Sequence, residues 1–276
     1  MSFTLKIGDK GQEVRRLQIV LGITPDGDFG PNTELDVKRY QAAANLKQDG
    51  IAGCLTLEKL GINPLLGIDV SHWQGKIDWK KVAADGVRYA FVKATQATGY
   101  HDPKFAVNVK GAKDAGIPVG AYHFAVATLT NAKEEAKNFL ESIAKVGELD
   151  LPCVLDMETD PNKLTSSQLE DWCLDWTDEV KKATGKKPIL YTGCSFIMHQ
   201  LDNCTKLSVS GVKLWVARYH GINKVEPADE HLTIGKYREW TMWQFDQVGK
   251  VDGISGHVDR NWLPRGERGL TALRNG

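Results

Sequence analysis

The chain has 276 residues, of which 42% are hydrophobic and 25% are charged, so it can form one or two globular domains. Lysine plus arginine and aspartate plus glutamate number 35 each. This balance excludes a global electric field that would recruit nucleic acid or an anionic membrane. The sequence contains no apolar run long enough to cross a membrane.

The amino-terminal segment MSFTLKIGDKGQEV has no charged stretch followed by a long apolar run. We therefore expect no secretory signal and synthesis in the cytoplasm. The five cysteines are odd in number and include no C-x-x-C pair. Reduced thiols are favoured over disulfides or a zinc site.

A short repeat marks the first 64 residues as a separate unit. The segments DGDFGPNT (26–33) and DGIAGCLT (49–56) both fit D-G-x-x-G-x-x-T and lie 23 residues apart. Because Asp-Gly favours a left-handed turn, we interpret Asp26 and Asp28 as turn residues and not as a reactive acidic pair. Helical periodicity around the two copies predicts a domain of three short helices over residues 1–64.

Eight short apolar runs follow, and helical patterns separate the early ones. They are GIDVS (67–71), YAFVK (89–93), PVGAYHF (118–124), PCVLDME (152–158), PILYT (188–192), LWVA (214–217), TMWQF (241–245) and GHVD (256–259). Alternating strands and helices predict a mainly parallel sheet, and eight strands predict its closure. The fold class is α/β: an irregular (β/α)-barrel of eight strands over residues 65–276, with helices mainly in the first five units.

Caps are predicted for two helices of this barrel. Asn131 would cap the helix that begins at Ala132, and Thr165 with Gln168 would form a capping box. The tryptophans of the second helix are interpreted as packing against the barrel. Residues 218–238 are polar and lack helical periodicity.

Polar residues stand at the predicted carboxyl ends of the strands, which share one mouth in such barrels. Four are acids: Asp69, Asp156, Glu158 and Asp259. The others are Lys93, Tyr122, His123, Tyr191, Trp215 and Gln244. This set is typical of a glycosidase, in which one protonated carboxyl donates to the leaving oxygen and ionised ones stabilise the sugar cation. Crowding would raise the proton affinity of the least solvated acid, as the donor role requires.

Other readings of the same residues stay open. Taken alone, the D-x-E of Asp156 and Glu158 is more often a solvated strand end; Asp69 and Asp259 at comparable positions favour an acid site. The seven histidines include no H-x-H or H-E-x-x-H, so a metal site is the minority hypothesis, sustained by His123 beside three carboxylates. No G-x-S-x-G elbow or P-loop occurs.

Residues 1–64 also resemble a known wall-binding domain. The segments LKIGDKGQEVRRLQIVLG, DGDFGPNTELDVKRYQ and LKQDGIAGCLTLEKLG are similar to peptidoglycan-binding domains of the PG_binding_1 type. The sequence departs from that family at Leu57, where the family often carries tryptophan. The departure argues against an aromatic sugar platform at this position.

Residues 66–263 resemble the glycoside hydrolase family 25 lysozymes, the Chalaropsis-type muramidases. The motifs GIDVSHWQGKIDW, YAFVKAT, GAYHF, VLDME, YTG, LWVARY, WQF and HVDRNWL occur in the order seen in that family. The resemblance implies hydrolysis of the β-1,4 bond between N-acetylmuramic acid and N-acetylglucosamine with net retention, and no cofactor.

The same resemblance assigns roles to the strand-end residues. Glu158 would be the general acid/base, and Asp156 would stabilise the cation or orient the acetamido group, with an enzyme-linked or an oxazolinium intermediate both open. Asp69 and Asp259 would complete the acidic floor. Lys93, Tyr122, His123, Tyr191, Trp215 and Gln244 would line the sugar sites. After VKAT the family usually has Glu-Gly, whereas this chain has Gln96-Ala97, which affects the expected subsite preference.

A wall anchor beside a wall-sugar hydrolase predicts a phage endolysin, made in the host cytoplasm and acting on the bacterial cell wall. Its partner would be peptidoglycan glycan strands, with no nucleic acid or membrane partner, and it would act as a monomer. The alternatives are a bacterial autolysin with the same chemistry, a catalytically inactive wall-binding barrel, and a metal-dependent hydrolase on a similar barrel.

Overall fold

The computed structural model describes residues 4–219, 234–237 and 239–275. These residues form two compact units. One comprises residues 4–65 with 263–270, and the other comprises 66–219, 234–237, 239–262 and 271–275. The predicted boundary between residues 64 and 65 stays a prediction. No helix within the described residues is long and apolar enough to span a membrane.

The first unit contains the three predicted helices: α1 (Gln12–Leu21), α2 (Pro31–Ala43) and α3 (Cys54–Leu60). Pro31 occupies the first turn of α2, where its missing N–H costs no hydrogen bond. The side chains of Leu17, Phe29, Val37 and Leu57 are fully buried and form the core. Leu57 is therefore a core residue, and this position offers no surface on which a sugar could stack.

Two equivalent glutamines organise the repeat. The side-chain amide of Gln18 donates to the Asp26 carboxylate at 2.7 Å and accepts from the Gly27 N–H at 2.8 Å. Gln41 makes the same pair of contacts with Asp49 and Gly50, both at 3.0 Å. Both glycines have positive φ angles, 82° and 75°, which L side chains rarely adopt.

The aspartates of the repeat serve the turns. Asp26 accepts from the Asp28 N–H as well as from Gln18, and these hydrogen bonds lower the pKa of the Asp26 carboxyl. Asp49 is held in the same way by the Ile51 N–H and Gln41. For Asp26 this arrangement agrees with its interpretation as a turn residue, whereas the Asp28 carboxylate accepts from Lys10 at 2.8 Å.

The second unit is a closed barrel of eight strands, as predicted. They are β1 (Leu65–Val70), β2 (Tyr89–Gln96), β4 (Val119–Phe124), β5 (Val154–Asp156), β6 (Ile189–Gly193), β7 (Lys213–Ala217), β8 (Met242–Gly249) and β9 (Val258–Leu263). The pairings from β1 to β8 are parallel, whereas β9 runs antiparallel to β8 and neighbours β1. The two-residue strand β3 (Tyr100–His101) forms a hairpin with β2 outside the closed ring.

Helices follow the first five barrel strands. They are α4 (Trp79–Ala84), α5 (Phe105–Asp114), α6 (Ala132–Ile143), α7 (Ser166–Thr184), α8 (Cys194–His199) and α9 (Thr205–Val209); α10 (Gly266–Arg274) follows β9. The segment 250–257 between β8 and β9 contains no helix. The prediction for residues 218–238 falls mainly on 220–233 and 238, which lie outside the described residues.

The two predicted caps have different outcomes. Thr165 and Gln168 form the capping box: the Gln168 N–H donates to the Thr165 hydroxyl, and the Thr165 N–H donates to the Gln168 side chain at 2.8 Å. Asn131 precedes α6, but its side chain makes no cap. It accepts instead from the Thr128 N–H and from the indole N–H of Trp172. Asn131 therefore ties α6 to α7.

Candidate active site

The mouth of the barrel contains a cleft of about 250 Å³, and those of its lining residues that the structure describes belong to the second unit. Its lining residues are Asp69, Ser71, Trp73, Lys93, Tyr122, Phe124, Val154, Asp156, Glu158, Tyr191, Trp215, Tyr219, Gln244, Gln247 and Asp259. All four predicted acids are present, with five of the six predicted sugar-site residues. The convergence follows from the closed barrel, which brings strand ends from distant parts of the chain to one opening.

Asp259 lines the cleft, but it lies at the opposite end of its strand from the one predicted. The prediction placed it at the carboxyl end of a strand over 256–259. The structure instead has β9 beginning at Val258 and running antiparallel to β8. The amino end of β9 therefore lies at the mouth, and Asp259, the second residue of β9, lines the cleft. Asp69 and Asp156 come from the carboxyl ends of β1 and β5, as predicted.

Two amides hold Asp69. The Nε2 of Gln244 and the Nδ2 of Asn261 both donate to Oδ2 of Asp69, at 2.9 and 2.8 Å. Gln244 accepts in turn from the hydroxyls of Tyr191, at 2.8 Å, and of Tyr219. Asn261 accepts from the indole N–H of Trp215 at 3.0 Å. Aromatic side chains thus orient both amides toward the carboxyl group.

Burial raises the pKa of all four carboxyl groups of the cleft. Asp156 is only 6% exposed, and burial raises the pKa of its carboxyl well above the ordinary value, with the charge of Glu158 as the next cause. Desolvation, followed by the charge of Asp69, raises the pKa of Asp259 to about 9. Oδ1 of Asp156 has no hydrogen-bond partner in the part of the chain that the structure describes.

Glu158 lies in the open part of the cleft. Its side chain is exposed to solvent, yet the surrounding protein desolvates it enough to raise the pKa of its carboxyl, and the charge of Asp69 adds to the rise. Lys93 opposes that rise. The least solvated acid of the D-x-E pair is therefore Asp156 and not Glu158, the residue predicted to be the proton donor.

Lys93 provides a cation beside these acids. Its ammonium donates to the Gln96 side-chain oxygen at 2.8 Å and lies 4.6 Å from the centroid of the Phe124 ring. Desolvation lowers the pKa of Lys93, while the charges of Asp156, Asp102 and Glu158 raise it. The neutral Gln96 thus occupies the position where the family usually has glutamate.

His123 lies outside the cleft, and the prediction that it lines a sugar site is wrong. Neighbouring residues of a strand point to opposite faces, so Tyr122 faces the interior of the barrel and His123 faces the helices. His123 is fully buried, with its ring nitrogens 2.7 Å from Thr95 Oγ1 and 2.7 Å from Glu135 of α6. Its ring stacks on Trp176 of α7.

His123 was also the residue that sustained the metal hypothesis. Its two ring nitrogens are engaged by Thr95 and Glu135. Across residues 4–219, 234–237 and 239–275, no group of three or more His, Cys, Asp or Glu side chains is arranged to hold a metal ion.

Several residues of the site were not predicted from the sequence. Those that line the cleft are Ser71, Trp73, Phe124, Val154, Tyr219 and Gln247. Asn261 lies behind them, buried against Asp69. The alternation along β9 could have indicated Asn261, because residues 259 and 261 share a face of that strand. Trp73 follows β1 by only three residues and is 81% exposed.

An eight-stranded α/β-barrel with four carboxyl groups in one cleft defines a glycoside hydrolase of the lysozyme class. The chain belongs to glycosyl hydrolases family 25, whose family model matches residues 68–254. Residues 10–60 match the PG_binding_1 family of peptidoglycan-binding domains. The predicted family memberships are confirmed for both parts of the chain.

Similar proteins include lysozymes and a muramidase. Lysozyme M1 of Streptomyces globisporus is 34% identical over 220 residues, which are 76% of this chain and 71% of that protein. The N,O-diacetylmuramidase of Chalaropsis sp is 29% identical over 210 residues, 70% of this chain and 95% of that one. The crystal structure of the CTP1L endolysin superposes with a TM-score of 0.62 at 28% identity, covering 76% of this chain and 70% of the other.

Proposed function

We propose that this chain lyses bacterial cell walls by hydrolysing the β-1,4 bond between N-acetylmuramic acid and N-acetylglucosamine of peptidoglycan. The observation that carries the proposal is the convergence of Asp69, Asp156, Glu158 and Asp259 in one cleft. Family membership supports the same chemistry, and one similar protein is itself named a diacetylmuramidase.

Glu158 acts as the general acid/base. Its exposed position in the open cleft lets it reach the oxygen of a bound glycan, and its raised pKa keeps it protonated at higher pH than an ordinary glutamate. Retention of configuration requires the same residue to donate a proton in the first step and to accept one from water in the second.

The other acids stabilise the sugar as positive charge develops. Asp69 lies on the cleft floor as the acceptor of two amide N–H groups, so its carboxyl group is held in place before substrate binds. Oδ1 of Asp156 has no hydrogen-bond partner among the described residues and is suited to the acetamido N–H or to the developing cation. Lys93, Tyr122, Tyr191, Trp215 and Gln244 line the remaining wall and bind the sugar rings.

Residues 1–64 act as a separate peptidoglycan-binding domain that holds the enzyme on its substrate. The family match over residues 10–60 supports this assignment. We also propose that the protein acts as a monomer.

The biological setting that fits these parts is a phage endolysin, made in the host cytoplasm and released onto the wall. The structural similarity to the CTP1L endolysin supports that setting. An autolysin would have the same chemistry, and a holin gene beside the coding sequence would favour the phage setting.

The decisive experiment is the product analysis of purified peptidoglycan. N-acetylmuramic acid at the new reducing ends supports the proposal, and N-acetylglucosamine ends overturn it. Glu158→Gln should abolish wall clearing while the variant still sediments with walls. Glu141→Gln on the exposed face of α6 is the matched control and should clear walls like the wild type.

A further inference from the structure

Asn261 lies behind the cleft between two groups of opposite hydrogen-bonding character. On one side, the indole N–H of Trp215 points to Oδ1 of Asn261 at 3.0 Å. On the other side, Nδ2 of Asn261 points to Oδ2 of Asp69 at 2.8 Å. Asn261 itself is fully buried, so no water competes for these contacts.

The indole fixes the direction of this chain of hydrogen bonds. A tryptophan N–H can only donate, so the atom of Asn261 that faces it must be the oxygen. The NH₂ group of Asn261 is then directed to Asp69 and can only donate. Gln244 repeats the pattern, since the Tyr191 hydroxyl donates to its oxygen and its NH₂ group also faces Asp69. Two N–H groups therefore converge on one oxygen of Asp69, and that oxygen accepts.

We propose that Asn261, oriented by Trp215, is a positioning residue that keeps Asp69 as a carboxylate and places the proton of the Asp69–Asp259 pair on Asp259. This inference rests on the muramidase function proposed above. It assigns Asp259 a neutral, hydrogen-donating state, so that the pair presents one negative charge to the sugar and that charge lies on Asp69.

The effect of the Asp69–Asp259 contact on the two pKa values agrees with a proton on Asp259. Asp69 and Asp259 are within hydrogen-bonding reach, and this contact lowers the pKa of Asp69 and raises that of Asp259. Burial raises the pKa of Asp69, and the bonds from Asn261 and Gln244 are the largest causes opposing the rise. The other titratable groups that interact with Asp69 are Asp156 of β5, Glu158, and the phenols Tyr89, Tyr122, Tyr191 and Tyr219.

The test replaces the amide in two ways. Asn261→Leu removes the donor, and Asn261→Asp puts a second acid against Asp69. Both should lower kcat roughly ten- to hundredfold at neutral pH with little change in KM, because a hydrogen bond to a charged group is lost. Both should also move the acid limb of the pH profile of kcat to higher pH by about one unit, since Asp69 becomes harder to ionise. The larger shift belongs to Asn261→Asp.

Asn108→Leu is the matched control, because Asn108 is a buried asparagine on the outer helix α5. It should change the thermal midpoint and leave both limbs of the profile in place. A second readout needs no catalysis: the infrared difference between wild type and Asp259→Asn at neutral pH should contain a protonated carboxyl band.

The possible results distinguish a failure of the positioning role of Asn261 from a failure of the proposed muramidase function. Folded Asn261 variants, judged by circular dichroism, that lose kcat with unmoved limbs overturn the inference, as does the absence of the protonated band. Wild-type protein that releases no muramic-acid ends overturns the proposed function itself. A shifted acid limb in both variants together with the band establishes the positioning role.

Discussion

The ammonium of Lys93 lies 2.8 Å from the side-chain oxygen of Gln96, so a neutral amide and not a carboxylate holds this cation at the edge of the cleft. The positive charge of Lys93 lowers the pKa of Glu158 and of Asp156. Residue 96 therefore controls how much of that charge the acids experience.

Gln96→Glu should raise the pKa of Glu158, because a carboxylate beside Lys93 offsets the charge that favours ionised Glu158. The acid/base must be protonated for the first step, so the basic limb of the pH profile should move to higher pH, by about half a unit. The pH profile of wall clearing checks this. Gln200→Glu, an exposed site on the same barrel, should leave the limb unmoved. A shift toward lower pH in Gln96→Glu would contradict the prediction.

Asp259→Asn should stabilise the fold while it impairs catalysis. The pKa of Asp259 is about 9 in the folded protein, well above its ordinary value of 3.8, so the folded state binds an extra proton between these limits. Stability is therefore lost as the pH rises through this window, and the neutral asparagine avoids that loss. We expect a gain of about 1 kcal/mol at pH 8, or roughly 2–4 °C in the thermal midpoint, and none at pH 3.5. Thermal unfolding across this pH range measures it.

The exposed Asp114→Asn on α5 serves as the comparison for Asp259→Asn. It should show no such pH-dependent gain. Equal stabilisation by the two substitutions would argue against the Asp259 assignment.

His123→Ala should destabilise the barrel by about 3–5 kcal/mol, because it leaves Glu135 buried without its ring partner and opens a cavity beside Trp176. The KM for wall fragments should stay near the wild-type value, since His123 does not face the cleft. Denaturant unfolding and steady-state kinetics measure the two effects. The adjacent Tyr122→Phe should behave in the opposite way, with altered kinetics and a small stability change.

Trp73→Ala should weaken glycan binding without unfolding the protein. The indole is 81% exposed beside the acids, so its removal forfeits little buried apolar surface, less than about 0.5 kcal/mol of stability. We expect KM for glycan strands to rise several-fold, roughly the loss of one aromatic contact of 1 kcal/mol. Leu129→Ala, another exposed apolar residue, is the control and should leave KM unchanged.

Much of the barrel could be predicted because its strands are apolar and its helices carry local signals. The capping box of Thr165 and Gln168 needs only residues three positions apart, and the structure contains it. The direction of β9 could not be predicted from local signals of this kind. An antiparallel strand has the same composition as a parallel one, so Asp259 was placed at the wrong end of its strand.

The four acids of the cleft were predicted from the sequence, whereas Asn261 was not. Asp69, Asp156, Glu158 and Asp259 carry charge that is visible in the sequence. Asn261 matters because Trp215, 46 residues earlier, orients its amide, and that relation exists only after the barrel closes. The placement of His123 was a different error, since the alternation of β4 already excluded it from the face that Tyr122 occupies.

Asp69 belongs to the first strand of the barrel, and Asp259 and Asn261 belong to the last, which is its neighbour. The pair Asp69–Asp259 therefore lies where the first and last strands of the barrel meet and close the ring. A chain without β9 would therefore lack both Asp259 and the amide of Asn261, and would keep three of the four acids of the cleft.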